Sequence, residues 1–171
     1  MKYKILLLSI LISATIITLS LINFNKNQYR IPQNIKYHTL SKNTQKQIDC
    51  LADNIYYEAG KETHDGKIAV ALVTINRVNS GKYPNNICDV VKQKIDGICQ
   101  FSWMCDEARK TILSHTPHYI EIRQIAIDTY MNYENMNDIT YGATYFHSNS
   151  INPKWKLQKT IIIGNHTFYK K

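Results

Sequence analysis

Glu58 is the residue whose type and position are best suited to acid–base chemistry. It lies one helical turn beyond Asn54, at the edge of an apolar face formed by Ile48, Leu51, Ala52, Ile55 and Tyr56. A carboxyl group at that edge is expected to be half buried. Partial desolvation favours the protonated form of a carboxylic acid, which can then serve as a general acid near neutral pH. The alternative is an exposed glutamate at a helix end, and periodicity alone does not exclude it.

Residues 100–104, with the sequence QFSWM, place aromatic and polar side chains side by side in a predicted loop. Such loops are typical of carbohydrate sites, where rings stack on sugar faces and amides bind hydroxyl groups. A loop folded over the core uses the same residue types. Composition alone leaves both interpretations open.

The four cysteines, Cys50, Cys88, Cys99 and Cys105, favour disulfide bonds in an exported domain. Four cysteines allow three pairings, and the sequence does not choose among them. The spacing between Cys99 and Cys105 is unlike that of a structural zinc pair. A nucleophilic Cys105 is a further alternative, but it would need a histidine or a helix N-terminus to activate the thiol.

The first 24 residues are predicted to be a signal anchor that spans the membrane. Lys2 and Lys4 precede an apolar run over residues 5–24, whose length suits a transmembrane helix better than a cleaved signal peptide. Residues 18–20 form a weak cleavage site, so a secreted product is the alternative. Residues 25–40 are predicted to be a tether, and residues 41–171 a catalytic domain outside the cytoplasm.

The formal net charge of +8 is unevenly distributed along the chain. Residues 1–30 hold four basic residues and no acidic one, which leaves 17 basic and 13 acidic residues beyond them. This modest excess fits an anionic polymer such as the cell wall, or a membrane surface. Nucleic acid is not an expected partner, because no ladder of basic and aromatic residues is present.

The remaining pattern predicts an α+β domain, a helical body followed by a small antiparallel sheet. The first helix is expected to run from its cap Ser41 to Glu58, with Gly60 in a left-handed conformation after it. Further helices are expected over residues 66–79 and 106–113. Two more are expected to begin after the caps Asn86 and Thr116. Residues 94–106 are expected to be a loop. Strands are predicted at residues 143–147, 160–163 and 166–169, the last two joined by a turn at Gly164 and Asn165.

Several segments in order resemble the SleB/CwlJ-type cell wall hydrolases. They are NIYYEA (54–59), GKIAVA (66–71), NRV (76–78), YP (83–84), ICDVV (87–91), CQFSW (99–103), ATYFH (143–147), NPKW (152–155) and IGNHTFY (163–169). Each segment is weakly specific, but together they cover nearly the whole domain. The chain departs from the family pattern Glu-Ala-Arg-Gly-Glu, because it has Gly60 and Lys61 between Ala59 and Glu62.

The resemblance implies a lysozyme-like, monomeric enzyme that cleaves peptidoglycan glycan strands between MurNAc and GlcNAc as a lytic transglycosylase, with Glu58 as its catalytic acid and no cofactor or metal. Glu62 or Asp65 could supply a second carboxylate, although loop acids are more often solvated. The hypothesis assigns sugar binding to Tyr57, Gln100, Ser102 and Trp103, with His147, Asn152 and His166 on the opposite wall. The two tryptophans Trp103 and Trp155 could instead be core residues, and Arg77 could be a helix cap or a cleft residue.

Two other functions remain open. A zinc-dependent amidase would use His147, His166 and perhaps His64 as ligands, although no compact ligand motif supports it. A wall-binding module without catalytic activity would share the same aromatic and polar residues.

Overall fold

The structure is a computed structural model that describes residues 35–106 and 115–171. Within these ranges the helices come first and the main sheet last, which confirms the predicted α+β class. The helices are α1 (Lys42–Ala59), α2 (His64–Asn79), α3 (Ile87–Lys92) and α4 (Pro117–Asn132). The strands are β1 (Lys94–Ile95), β2 (Ile98–Cys99), β3 (Tyr145–Ser148), β4 (Gln158–Ile163) and β5 (His166–Lys170).

Side-chain caps explain where the helices begin. Ser41, Asn86 and Thr116 each accept a hydrogen bond from the backbone N–H three residues further along, as predicted for their helices. Thr63 caps α2 in the same way through the N–H of Gly66. Helix α2 therefore begins at His64, before the predicted start at residue 66.

Helix α2 is the central element, and its nearly uniform apolar composition follows from contacts on two sides. Ile68, Leu72 and Ile75 join the main core between the helices, together with residues of α1 and α4. Ala69 and Val73 form a second buried cluster with Phe168 of β5. Burial of both faces removes apolar surface from water all around the helix.

The three-stranded antiparallel sheet has the order β3-β5-β4. Phe146 pairs with Phe168, and His147 pairs with Thr167 in the register of β3 and β5. The predicted turn between β4 and β5 is confirmed, and Gly164 has a φ of +56° there. Hydrogen bonds from the last turn of α2 fix the chain segment that precedes β3. Asn76 Nδ2 donates to Asp138 Oδ2 (2.9 Å) and to the Ala143 carbonyl (3.1 Å).

Two local predictions were wrong. Gly60 is right-handed, with φ −57° and ψ −29°, because the chain keeps helical geometry for one more residue before it turns toward α2. The predicted loop at residues 94–106 contains a short hairpin of β1 and β2. Asp96 and Gly97 both have positive φ (50° and 78°), which is the Asp-Gly turn that two-residue hairpins favour.

Other predictions fall partly or wholly outside the described residues. The predicted signal anchor lies there, as do residues 107–113 of the helix predicted over residues 106–113. Of the predicted tether, residues 35–40 are described, and Ile35, Tyr37 and Leu40 pack against the core. The helices that the structure describes include none long and apolar enough to cross a membrane.

Candidate active site

A cleft of about 880 Å³ lies between the end of α1 and the sheet. Five segments supply its walls: the last turn of α1, the last turn of α2, the loop after β2, strand β3 with the chain that follows it, and β5 with the residue after it. The residues that line it are Glu58, Arg77, Cys99, Gln100, Phe101, Ser102, Tyr145, Phe146, His147, Ser148, Ile151, Trp155, Lys156, Leu157, His166 and Lys171. Five residues of the predicted site therefore meet here, namely Glu58, Gln100, Ser102, His147 and His166.

Glu58 lies in the last turn of α1 and is half buried, as its place at the edge of the apolar face predicted. Its neighbour Ala59 is buried, so this turn is fixed against the core. Glu58 is the one acidic side chain among the described residues that line the cleft. A single carboxyl group at the wall can transfer a proton to or from a bound molecule.

Arg77 in the last turn of α2 is a cleft residue. Its side chain is 5% exposed, and its guanidinium carbon lies 4.9 Å from the ring centre of Phe101. Its Nε donates to the Thr144 carbonyl at 2.8 Å, whereas its buried Nη1 has no hydrogen-bond partner among the described residues.

Burial lowers the pKa of Arg77 from its ordinary value, while nearby tyrosines and the charge of Glu58 act in the opposite direction. An arginine stays protonated at any physiological pH. Its fixed positive charge therefore interacts electrostatically with the Glu58 carboxyl group across the cleft lining.

The loop after β2 carries Gln100 and Ser102 to the cleft and is closed by a disulfide between Cys99 and Cys105. The backbone N–H of Gln100 donates to the Gln93 carbonyl at 3.0 Å, which fixes the start of the loop to the hairpin. The other disulfide joins Cys50 of α1 to Cys88 of α3. The expected disulfides are thus present, with pairings that the sequence left open.

His147 and His166 lie on neighbouring strands at the sheet side of the cleft. His147 Nδ1 donates a hydrogen bond to the Ser148 carbonyl at 2.8 Å. In a neutral ring the other nitrogen, Nε2, is then an acceptor, and it accepts from the Tyr169 hydroxyl at 2.9 Å. His166 is buried and its Nδ1 has no partner among the described residues. Burial lowers the pKa of His166, Glu62 opposes this effect, and His147 adds to it. His166 is therefore a neutral group at the cleft wall.

The zinc alternative gains no support from this geometry. Both nitrogens of His147 are engaged in hydrogen bonds. His64 is in the first turn of α2 and does not line the cleft. Over residues 35–106 and 115–171, no three His, Cys, Asp or Glu side chains are grouped so that they could hold a metal ion.

Trp155 lines the cleft, although it was predicted only as a possible core residue. Its indole is 41% exposed and meets His147 and Tyr169 edge-on, with ring centres 5.5 and 5.7 Å apart. An exposed aromatic ring held in this way offers a flat apolar surface to a ligand. The NPKW segment that contains it was the available signal.

Three predicted sugar-binding residues do not line this cleft. Trp103 is buried, and its Nε1 donates to Asn54 Oδ1 at 2.9 Å, so it has a packing role. Tyr57 stacks on Trp103 with ring centres 4.4 Å apart, and both border a separate small cavity of about 260 Å³. Asn152 is exposed, and its Oδ1 accepts from the N–H of Lys154 at 3.2 Å.

Glu62, considered as a second carboxylate, is engaged elsewhere. It accepts hydrogen bonds from the backbone N–H and the side-chain amide of Asn165, each at 3.0 Å. Burial would raise the pKa of Glu62, but these hydrogen bonds and the nearby His166 lower it overall. Asp65 lies exposed in the first turn of α2. Neither acid lines the cleft.

Comparisons with known proteins agree with this fold. A family described as Cell Wall Hydrolase matches residues 61–169, a range that contains Arg77, the β2 loop and the sheet, and begins three residues after Glu58. A spore cortex-lytic enzyme of Bacillus cereus is 27% identical over 142 residues, which are 81% of this chain and 50% of that enzyme. One from Bacillus subtilis is 41% identical over 44 residues, 26% of this chain and 14% of that enzyme. The chain spans about half the length of the first of these relatives.

Two solved structures are similar over nearly their whole length. The catalytic domain of the germination-specific lytic transglycosylase SleB from Bacillus anthracis has a TM-score of 0.56 and 26% identity, over 77% of this chain and 97% of that one. The catalytic domain of Bacillus cereus SleB has a TM-score of 0.55 and 26% identity, over 74% and 91% of the two chains. The helical body and its small sheet are thus shared with these catalytic domains.

Proposed function

The chain belongs to the cell wall hydrolase family, and on that premise we propose that it cleaves peptidoglycan glycan strands between MurNAc and GlcNAc as a lytic transglycosylase. The proposal is supported by the likeness to SleB from Bacillus anthracis, which is a germination-specific lytic transglycosylase. The observation that carries the reaction type is the single acidic side chain, Glu58, among the described residues along the cleft.

A single carboxyl group suits this reaction better than hydrolysis by two carboxylates. Glycosidases of the usual kind need a second acid to attack the anomeric carbon or to activate water. In a transglycosylase the 6-hydroxyl of the muramoyl residue supplies the nucleophile. No water is consumed, and the product ends in a 1,6-anhydro ring.

Glu58 performs both proton transfers in this proposal. Protonated Glu58 donates its proton to the glycosidic oxygen as the bond from that oxygen to the muramoyl C1 breaks. The resulting carboxylate then accepts the proton of the 6-hydroxyl, whose oxygen forms the new bond to C1. Arg77 stabilises the carboxylate between the two transfers, because its buried positive charge interacts with Glu58.

The other cleft residues would bind and orient the strand. The exposed ring of Trp155 can stack on a sugar face, while Gln100 and Ser102 can form hydrogen bonds with hydroxyl and acetamido groups. His166 adds a buried neutral imidazole to the opposite wall. Tyr57, Trp103 and Asn152 do not line the cleft and have no sugar-binding role in this mechanism.

Peptidoglycan as the substrate places the activity outside the cytoplasm. The disulfides Cys50–Cys88 and Cys99–Cys105 support an exported domain, since such bonds persist in oxidising compartments. Anchoring through residues 5–24 remains a proposal from the sequence, because that segment lies outside the described residues.

Mass spectrometry of digested peptidoglycan tests the reaction type, with Glu58→Gln as the matched variant. This substitution is nearly isosteric and cannot donate the proton, so we expect a loss of at least about a hundredfold in rate. Anhydro-muramic ends are expected from the wild type. Reducing muramic ends would instead indicate a hydrolase, free stem peptides would indicate an amidase, and an active Glu58→Gln variant would remove Glu58 from the mechanism.

A further inference from the structure

A cavity of about 400 Å³, which we call the lysine pocket, adjoins the cleft. Its charged side chains are those of Lys82, Lys170 and Lys171. Tyr145 and Lys171 line both the lysine pocket and the cleft, so the two cavities are adjacent. A polymer bound in the cleft could therefore extend a branch into the lysine pocket.

The basic charge of the domain is concentrated at these two cavities. Arg77, Lys156 and Lys171 line the cleft, and the lysine pocket adds Lys82 and Lys170, against Glu58 as the one acidic side chain among the described residues of either lining. Beyond residue 30 the sequence as a whole is much more balanced, with 17 basic and 13 acidic residues. Such a local excess raises the concentration of anionic groups near the site.

Within residues 35–106 and 115–171, no ion pair neutralises a lysine of the pocket. Among the described residues the one ion pair is that of Lys67 with Glu121, at 3.2 Å. Tyr83 and Tyr145 also line the pocket, and their side chains, which hydrogen-bond to each other, add hydroxyl groups to its lining. Unpaired cations next to hydroxyl groups are suited to binding a carboxylate.

We propose that the lysine pocket binds the carboxylates of the stem peptide, so that the preferred substrate is a glycan strand whose muramic acid carries its peptide. This inference rests on the proposed function, because it assumes that a muramoyl residue occupies the cleft. The stem peptide branches from that same sugar. Three or four extended residues reach about 10–14 Å, a length on the scale of two adjacent cavities.

The test compares two forms of one polymer: intact peptidoglycan, and the same material after an amidase has removed its stem peptides. The variant is Lys82→Gln with Lys170→Gln, and the control is Lys46→Gln with Lys159→Gln. The control removes two lysines that line neither cavity, so the change in net charge is the same. The readout is kcat/KM for the release of soluble fragments.

We expect the wild type to prefer intact over stripped polymer. The Lys82/Lys170 variant should lose roughly three- to tenfold on intact polymer and almost nothing on stripped strands, since an exposed pair of charges contributes modestly. The loss should shrink between about 0.05 and 0.5 M salt. An equal loss on both polymers, or an equal loss in the control variant, would overturn the proposal.

Two further experiments distinguish stem-peptide binding from phosphate binding, and test the lysine pocket independently of catalysis by Glu58. Polymer treated with hydrogen fluoride loses its phosphodiester chains but keeps its peptides, so a lysine effect that vanishes there would assign the pocket to phosphate instead. Co-sedimentation of Glu58→Gln proteins with intact and stripped polymer measures binding without turnover. The pocket can thus be judged even if Glu58 proves not to be the catalytic acid.

Discussion

Glu62 accepts two hydrogen bonds from Asn165, one from its backbone N–H and one from its side-chain amide, each at 3.0 Å. The two residues lie in the turn after α1 and in the turn between β4 and β5, 103 positions apart in the chain. Gly164 lies beside them with a φ of +56°, and a Cβ at that position would displace the Glu62 carboxylate from this contact. This contact joins the turn that follows Glu58 to the turn that precedes the strand beginning with His166.

We expect Glu62→Gln to destabilise the domain by about 1 kcal/mol at neutral pH, since one of the two acceptor oxygens is replaced by a donor. The lowered pKa of Glu62 means that its contribution is present above the unfolded-state pKa. It is lost as the pH falls below that value through the folded-state pKa. Urea unfolding at neutral and acidic pH measures this difference.

Glu134→Gln is the matched control for Glu62→Gln. Glu134 is exposed and accepts a single hydrogen bond from its neighbour Tyr133. The control should cost less than about 0.5 kcal/mol at either pH. A Glu62→Gln effect that does not diminish in acid would mean that the ionised carboxylate is not what stabilises the contact.

Arg77→Met should lower activity and move the alkaline limb of the pH profile of kcat/KM to higher pH. Arg77 interacts electrostatically with Glu58, so removing the cation makes the carboxylate less favourable and keeps the general acid protonated longer. The lost bond to the Thr144 carbonyl should also destabilise the fold by about 1–3 kcal/mol. Arg77→Lys should restore the position of the limb, because it keeps the charge. A limb that stays in place in Arg77→Met would show that Arg77 does not act through Glu58.

Removal of the Cys50–Cys88 disulfide should reduce stability more, whereas removal of the Cys99–Cys105 disulfide should reduce activity more. Cys50 and Cys88 are 38 positions apart and Cys99 and Cys105 are 6 apart, so loop-closure entropy predicts losses of about 4 and about 2 kcal/mol on replacement by serine. Activity should fall more in the Cys99/Cys105 variant, because that bond closes the loop that carries Gln100 and Ser102. Thermal unfolding and kcat/KM of both double variants test the two rankings. Equal activities at a temperature where both are folded would refute the second.

The two tryptophans should show opposite behaviour. Trp155→Ala is expected to raise KM by roughly tenfold with little change in unfolding free energy, because the ring is 41% exposed and lines the cleft. Trp103→Ala should cost about 3–5 kcal/mol, because the buried indole packs against Tyr57 and bonds to Asn54. Denaturant unfolding and KM of both variants decide the matter. A stable Trp103→Ala protein with a raised KM would return that residue to the binding site.

The parts of the fold that the sequence predicted well depend on short-range physics. Ser41 and Thr116 act as caps because a side-chain oxygen reaches an N–H three residues away. The turn at Gly164 and Asn165 follows from the conformational freedom of glycine at positive φ. The hairpin at Asp96 and Gly97 has the same kind of signal, although its strands are too short to show an alternating pattern.

The sequence by itself determined the α+β class, the half-buried position of Glu58 and the family to which the chain belongs, because periodicity, caps and motifs are written in neighbouring residues. Only the tertiary structure decided that Arg77 lines the same cleft as Glu58, that Glu62 is engaged by Asn165, and that Trp155 rather than Trp103 faces the cleft. The same holds for the disulfide pairing. These relationships join residues from different elements, and an indole has the same local sequence signature whether packing buries it or leaves it at a wall.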